Sequence, residues 1–393
     1  MHRLSVQPTI ALLALLAFAP MVFAQDAPKA EEKKAETKAE EKPADKPADK
    51  PAEKPAEKPE EKPEEKPAEK PAEKPAELPT KLSVIHLDNP SGVTVHPGTG
   101  HVFITSRQGV FRYVPATKKI YLEVEGFPTD EYGKGPKYNI GPLGCTLWGT
   151  DRLIVPDGSQ KDGEEVVRIY KIADELPAKP RKATETEFVL GPIKGNPEAN
   201  YKGEGNYYAA VVWNDTIYVT ANGDDTKGWI VTSKITDGKP GELTGTIATK
   251  EATQVDAPVG ITTTPDSSSL VVGQMGEVSV PGDSLLSFYD KEGKLTKNYK
   301  TTLNDISGLA YSPKTGKLYA TDFAWAEEIK GNGGLFELVI EGDEVKPKKI
   351  LGLDRPTALG FDKEGALYVT VFGTGKDTGD KPNGGLIRLE PGL

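Results

Sequence analysis

From residue 82 onward, apolar and polar positions alternate in short runs broken by Gly, Asn, Asp and Pro, and one unit recurs with starts at residues 92, 144, 209, 260, 308 and 358. Each copy opens on a small residue, enters an apolar strand, turns tightly, and continues into a second and a third strand. The turns include Pro97-Gly98-Thr99-Gly100, Asn214-Asp215 and Asp362-Lys363-Glu364-Gly365, residue types that reach the positive φ of hairpin connections. Second strands at 102–105, 217–220, 318–321 and 367–370 are β-branched and aromatic, as a pleated, half-buried surface favours. A unit this small cannot bury its own apolar face, so the pattern predicts an all-β, six-bladed β-propeller with four-stranded blades. The last copy stops after its third strand at 386–389, whereas 82–87 reads as a strand with no neighbour in sequence. The N-terminal strand is therefore expected to close the last blade, because closure removes an open edge.

In such a ring, the connections between second and third strands and those between blades emerge on one face, and the short hairpins on the other. The long connections 157–165, 222–228, 274–283, 322–333 and 372–384, with the inter-blade stretches 127–142 and 191–205, all fall in the first group. Binding and catalysis are expected on that long-loop face. Asp157 and Asp322 end equivalent second strands, Asn222 lies one step further in its copy, and Glu204 and Asp305 just precede innermost strands. These five side chains are expected around the mouth of the central channel. There they would hold a small ligand or partner, hold a divalent cation such as Ca²⁺ that activates water, or simply cap loops and pin blades. Trp325 sits on one long loop and Phe372 begins another, which suits a stacking platform for a sugar or a partner's side chain. His86 lies on the closing strand, and His96 and His101 bracket a hairpin of the opposite face. No histidine base is thus expected at the long-loop face for a Ser-His-Asp arrangement.

Composition changes this picture at the N-terminus. A basic start, an apolar run over about residues 10–23 and Ala24 have the form of a secretory signal, expected to span 1–24. Residues 25–79 are nearly free of branched and aromatic side chains, and from Lys42 they settle into Lys-Pro every four residues. Such a segment cannot offset the entropy of ordering, so it is expected to be a disordered spacer, with a reach on the order of 100 Å, before a propeller domain at 80–393. Export implies a periplasmic, extracellular or cell-surface location, with no membrane span after signal cleavage. The single cysteine, Cys145, lies in an apolar strand, which reads as a buried thiol and rules out an intramolecular disulfide. Forty-nine Lys and Arg against 59 Asp and Glu leave a net charge of −10, which argues against nucleic acid and suits a cation or a basic partner; at the long-loop face a small molecule, a carbohydrate or a protein partner is expected.

Tyr218-Val219-Thr220, Tyr319-Ala320-Thr321 and Tyr368-Val369-Thr370, with Ser307-Gly308-Leu309-Ala310-Tyr311-Ser312-Pro313 upstream of one, resemble the strand motifs of SMP-30/gluconolactonase and NHL-type propellers. The resemblance spans about residues 82–393. It implies a six-bladed propeller and, for the gluconolactonase type, a divalent metal over the channel with carboxylate and Asn ligands, some just before the innermost strand's glycine. Those columns hold Ser91, Leu143, Val259, Ser307 and Thr357 here. A metal-dependent lactonase or ester hydrolase would therefore need an altered ligand set.

Overall fold

The computed structural model describes residues 82–133, 135–161, 163–193, 205–221, 228–373 and 382–393. Among them the chain forms an all-β, six-bladed propeller. The inner strands of the blades, in chain order, are Gly92–Val95, Thr146–Trp148, Tyr207–Trp213, Pro258–Thr263, Ile306–Tyr311 and Pro356–Phe361. Blade six takes its outermost strand from the other end of the domain: Leu82–Leu87 pairs antiparallel with Gly384–Leu389. The expected closure is therefore present, and it joins the two ends of the ring in one sheet.

The small residue that opens each copy has a steric cause. A Cβ on Gly92 would lie 2.8 Å from the Cα of Gly144 in the next blade and 2.5 Å from the Thr105 hydroxyl oxygen. A Cβ on Gly144 would come within 2.1 Å of the Tyr208 carbonyl oxygen. Inner strands approach that closely only where no side chain intervenes. They enclose a central cavity of about 260 Å³.

The recurring threonine of the second strands clasps neighbouring blades. Thr105 Oγ1 donates to the Leu143 carbonyl at 2.7 Å, and Thr220 Oγ1 donates to that of Val259 at 2.9 Å. Ser91, Ser307 and Thr357 make the same kind of bond to the carbonyls of Pro142, Pro356 and Pro90 at 3.1, 2.8 and 2.7 Å. Each bond satisfies a buried hydroxyl and a buried carbonyl together, at about 1 kcal/mol net. The columns that carry ligands in the resembled enzymes are thus occupied here by inter-blade fasteners and apolar contacts.

Three local elements go beyond the repeat. The connection after blade one folds into a hairpin, Asp130–Tyr132 against Tyr138–Ile140. A short helix, Thr249–Thr253, precedes blade four. The pair Arg181–Lys182 runs parallel to the outer strand of blade one, Lys119–Glu125.

Candidate functional site

Inner strands begin at the long-loop face, so their first residues surround the mouth of the channel. That mouth is filled by apolar side chains. Leu143, Tyr208, Val259, Met275, Phe323, Trp325 and Phe372 pack into one buried cluster with Ile140 of the hairpin. Trp325 lies at its centre, with ring centroids 5.5 Å from Tyr132, 5.3 Å from Tyr138 and 5.0 Å from Phe323. Its indole N–H donates to the Pro136 carbonyl at 3.1 Å. The hairpin reaches this close because Gly133 has a φ of 115° and no Cβ; a Cβ there would sit 2.5 Å from the indole. Trp325 and Phe372 are on the long-loop face as expected, but they are buried in the plug and offer no open stacking surface.

The structure brings Asp305, Asp322 and Trp325 together on the rim of blade five. Asp322 Oδ1 accepts the Asp305 and Ala324 amides at 2.8 and 3.3 Å, and Oδ2 accepts the Asn304 amide at 3.1 Å and its side-chain N–H at 3.2 Å. Asp305 Oδ2 accepts the Trp325 amide at 2.6 Å. Burial pushes the Asp305 carboxyl up to about 7; Asp322 and Asp283 nearby add to the rise, and the Trp325 amide opposes it. Burial also raises Asp322, against the pull of the amides it accepts. These carboxylates form a loop cap in which the Asp322 oxygens take four N–H groups and Asp305 takes one.

Asp157 stands apart. Instead of facing the channel, it meets Arg168 Nε of its own blade at 2.7 Å and accepts bonds from the Ser159 hydroxyl and amide and from Gln160. A side chain one position before the loop follows the twist of its own blade, and here the third strand supplies a cation. Glu204 and Asn222 lie outside the described residues. Among the described residues, no group of three or more His, Cys, Asp or Glu is placed to hold a metal ion. On the hairpin face, His96 is buried: Nδ1 accepts the Gly98 and Thr99 amides, so Nε2 carries the proton and donates to the Thr150 carbonyl at 2.7 Å. It is a turn staple between blades, not a surface residue. Cys145 is buried, and desolvation raises its thiol to about 12.

A second feature of the long-loop face lies beside the plug. A cleft of about 500 Å³ opens between blades six and one, with Asp88, Asn89, Arg107, Tyr138, Asn139, Glu327, Arg355 and Phe372 on its walls. Arg355 is only 3% exposed. Its guanidinium carbon lies 5.3 Å from the Tyr138 ring centre and 5.8 Å from that of Phe323, and Nη2 donates to the Trp325 carbonyl at 3.2 Å and to Glu327 at 2.7 Å. The bond from Arg355, with one from Lys330, holds the Glu327 carboxyl down at about 2. Across the cleft, Arg107 is paired with Asp88. Arg355 occupies the column of Asp305, three residues before the small residue of the inner strand, but a basic side chain there carries no signal for an oxygen-ligand site.

No family model matches the chain, and no curated protein is significantly similar to it. Among solved structures it resembles the PQQ-bound aldose sugar dehydrogenase of Streptomyces coelicolor, at 17% identity and a TM-score of 0.53 over 81% of this chain and 99% of that one. The soluble aldose sugar dehydrogenase of Escherichia coli in its apo form is similar at 17% identity and a TM-score of 0.52, over 80% of this chain and 100% of the other. A gluconolactonase of Xanthomonas campestris is similar at 12% identity and a TM-score of 0.50, over 79% of this chain and 89% of its own. At these identities the likeness is one of fold: a six-bladed β-propeller with distant structural relatives among lactonases and sugar dehydrogenases.

Proposed function

We propose that this chain is an exported binding protein that takes a small ligand or partner on its long-loop face, with the Lys-Pro spacer setting the reach of the domain. The observation that carries this reading is the polar cleft of about 500 Å³ beside a mouth already closed by apolar side chains. A rigid ring, one face of long loops and a cleft holding both polar and aromatic groups are the usual ingredients of a small-ligand site. Hydrolysis at the channel mouth is disfavoured because Asp157, Asp305 and Asp322 are engaged by Arg168 and by backbone amides.

The test combines a ligand screen with a turnover assay on the full chain. Compounds that raise the melting temperature should lose their effect in Asn139→Trp, which fills the cleft, and keep it in Lys363→Trp on the opposite face. The reverse pattern would place binding on the wrong face for this reading. One observation favours a second reading, metal-dependent lactonase or ester hydrolysis with an altered ligand set: Asp305 titrates near neutral pH at the rim, as a general acid or base does. Turnover of δ-lactones with added Ca²⁺, Mg²⁺, Mn²⁺ or Zn²⁺, abolished in a folded Asp305→Asn variant, would establish that reading in place of the first.

A further inference from the structure

We infer that the cleft between blades six and one binds an acidic sugar, with the carboxylate of a uronic acid received by the Arg355 guanidinium. The inference rests on the long-loop face being the binding face and adds the class of ligand. A guanidinium has five N–H donors, and a single charge-assisted bond from one of them to a carboxylate is among the stronger hydrogen bonds. Among the described residues only Nη2 of Arg355 is hydrogen-bonded; Nε is enclosed and out of a ligand's reach, which leaves Nη1 to receive a carboxylate oxygen. The Tyr138 hydroxyl, on the ring the guanidinium stacks against, is also buried, with no partner among the described residues. Two adjacent unsatisfied groups of this kind are unusual in a folded interior. The guanidinium is already held in place by Glu327, by the Trp325 carbonyl and by the Tyr138 and Phe323 rings. A ligand meeting it loses little to ordering.

The rest of the cleft argues for more than a bare anion. Arg107 is matched by Asp88 and Arg355 by Glu327, so the cleft has no net charge to draw anions from a distance. Selectivity must come from short-range bonds. Asn89 Nδ2 is engaged by the Asn139 carbonyl at 2.8 Å, which leaves Asn89 Oδ1 and the exposed Asn139 amide for hydroxyl groups. Tyr138, half-buried on the cleft wall, supplies apolar surface for the C–H face of a ring. A carboxylate, several hydroxyls and an apolar ring face on one small molecule describe a uronic acid.

The test is titration calorimetry of the full chain with D-glucuronate, D-glucose and acetate, which separate the ring from the carboxylate. Glucuronate should bind saturably at one site, with glucose and acetate each at least about tenfold weaker. Arg355→Met and Arg355→Lys should each weaken glucuronate at least about tenfold while circular dichroism stays native. Because Arg355 also braces the Trp325 loop, Asn139→Trp provides a block at an exposed position and should have the same effect. A uronic-acid oligomer that binds more tightly than the monomer would assign an acidic polysaccharide as the source, and equal affinity the free sugar; either supports the inference. No saturable glucuronate binding, equal affinity for glucose, or binding that survives Asn139→Trp overturns it. Other ligands still blocked by Asn139→Trp would then leave the binding-face reading standing and remove only the acidic sugar.

Discussion

Blades five and six place different side chains at one position of the same framework. Asp305 and Arg355 each precede the inner strand by one residue and the small channel-lining residue, Gly308 or Ala358, by three. Asp305 is built into its loop: one carboxylate oxygen takes the Trp325 amide, its own amide goes to Asp322, and Asp322 takes up the neighbouring amides. Arg355 is fixed just as firmly, yet among the described residues two of its three nitrogens remain without a bond. The difference teaches that polar residues at a propeller mouth make a site only when hydrogen-bonding capacity is left over after the loops are built. Counting carboxylates favours blade five; counting unspent donors favours the cleft of blade six.

The largest expected effect tests the structural side of this contrast. Asp322→Ala would leave the amides of Asn304, Asp305 and Ala324 without their acceptor, which should cost about 3 kcal/mol or more in urea unfolding. A loss below about 1 kcal/mol would show that the rim is not a cap and restore it as a candidate site.

Next in size is a pH effect. Burial pushes the folded Asp305 carboxyl up to about 7 from the usual 3.8, so between these values the native state holds a proton that the unfolded chain has released. Stability should therefore fall as pH rises from about 4 to about 7 and level off above that. Asp322 and Asp283 are raised too and act in the same direction. Asp305→Asn keeps an acceptor for the Trp325 amide without the buried charge. It should flatten the profile and stabilise the protein at pH 8 by about 1–2 kcal/mol, read from urea midpoints at pH 5 and 8. An unchanged profile would mean that Asp305 ionises freely.

A smaller effect is expected at the clasp that both blades share. Thr357→Val removes the bonds to the Pro90 carbonyl and the Thr370 hydroxyl while keeping the shape, and should cost about 1 kcal/mol without touching binding. The smallest effect belongs to the cleft. Asn139→Ala, at an exposed position, should change stability by less than about 0.5 kcal/mol. If it destabilises the hairpin as much as Thr357→Val loosens the ring, the free amide was structural and the contrast between the blades narrows.

The repeat, the closing strand and the crowded face were legible in the chain because each depends on local period and turn chemistry. Gly92 and its counterparts showed as a column of small residues before any contact was known, and the recurring Thr105, Thr220, Thr321 and Thr370 marked the second strands. The role of Thr105, Thr220 and Thr321 as fasteners did not show, since the accepting carbonyls belong to the next blade, whereas Thr370 bonds within its own. The candidate rim was legible only in part. Asp305, Asp322 and Trp325 do meet, but Asp157 turns to Arg168, a cation 11 residues away that strand pairing brings alongside.

By itself, then, the sequence determined the number of blades, their closure and the face that carries the long loops, all of which follow from periodicity and connection length. The tertiary structure alone decided which polar groups are spent and which are not. Hydrogen-bonding capacity is consumed by partners far away in the chain: Pro136 for Trp325, Asp88 for Arg107, Tyr138 and Trp325 around Arg355. A residue's type states what bonds it can make, and only the packed ring states which of them remain.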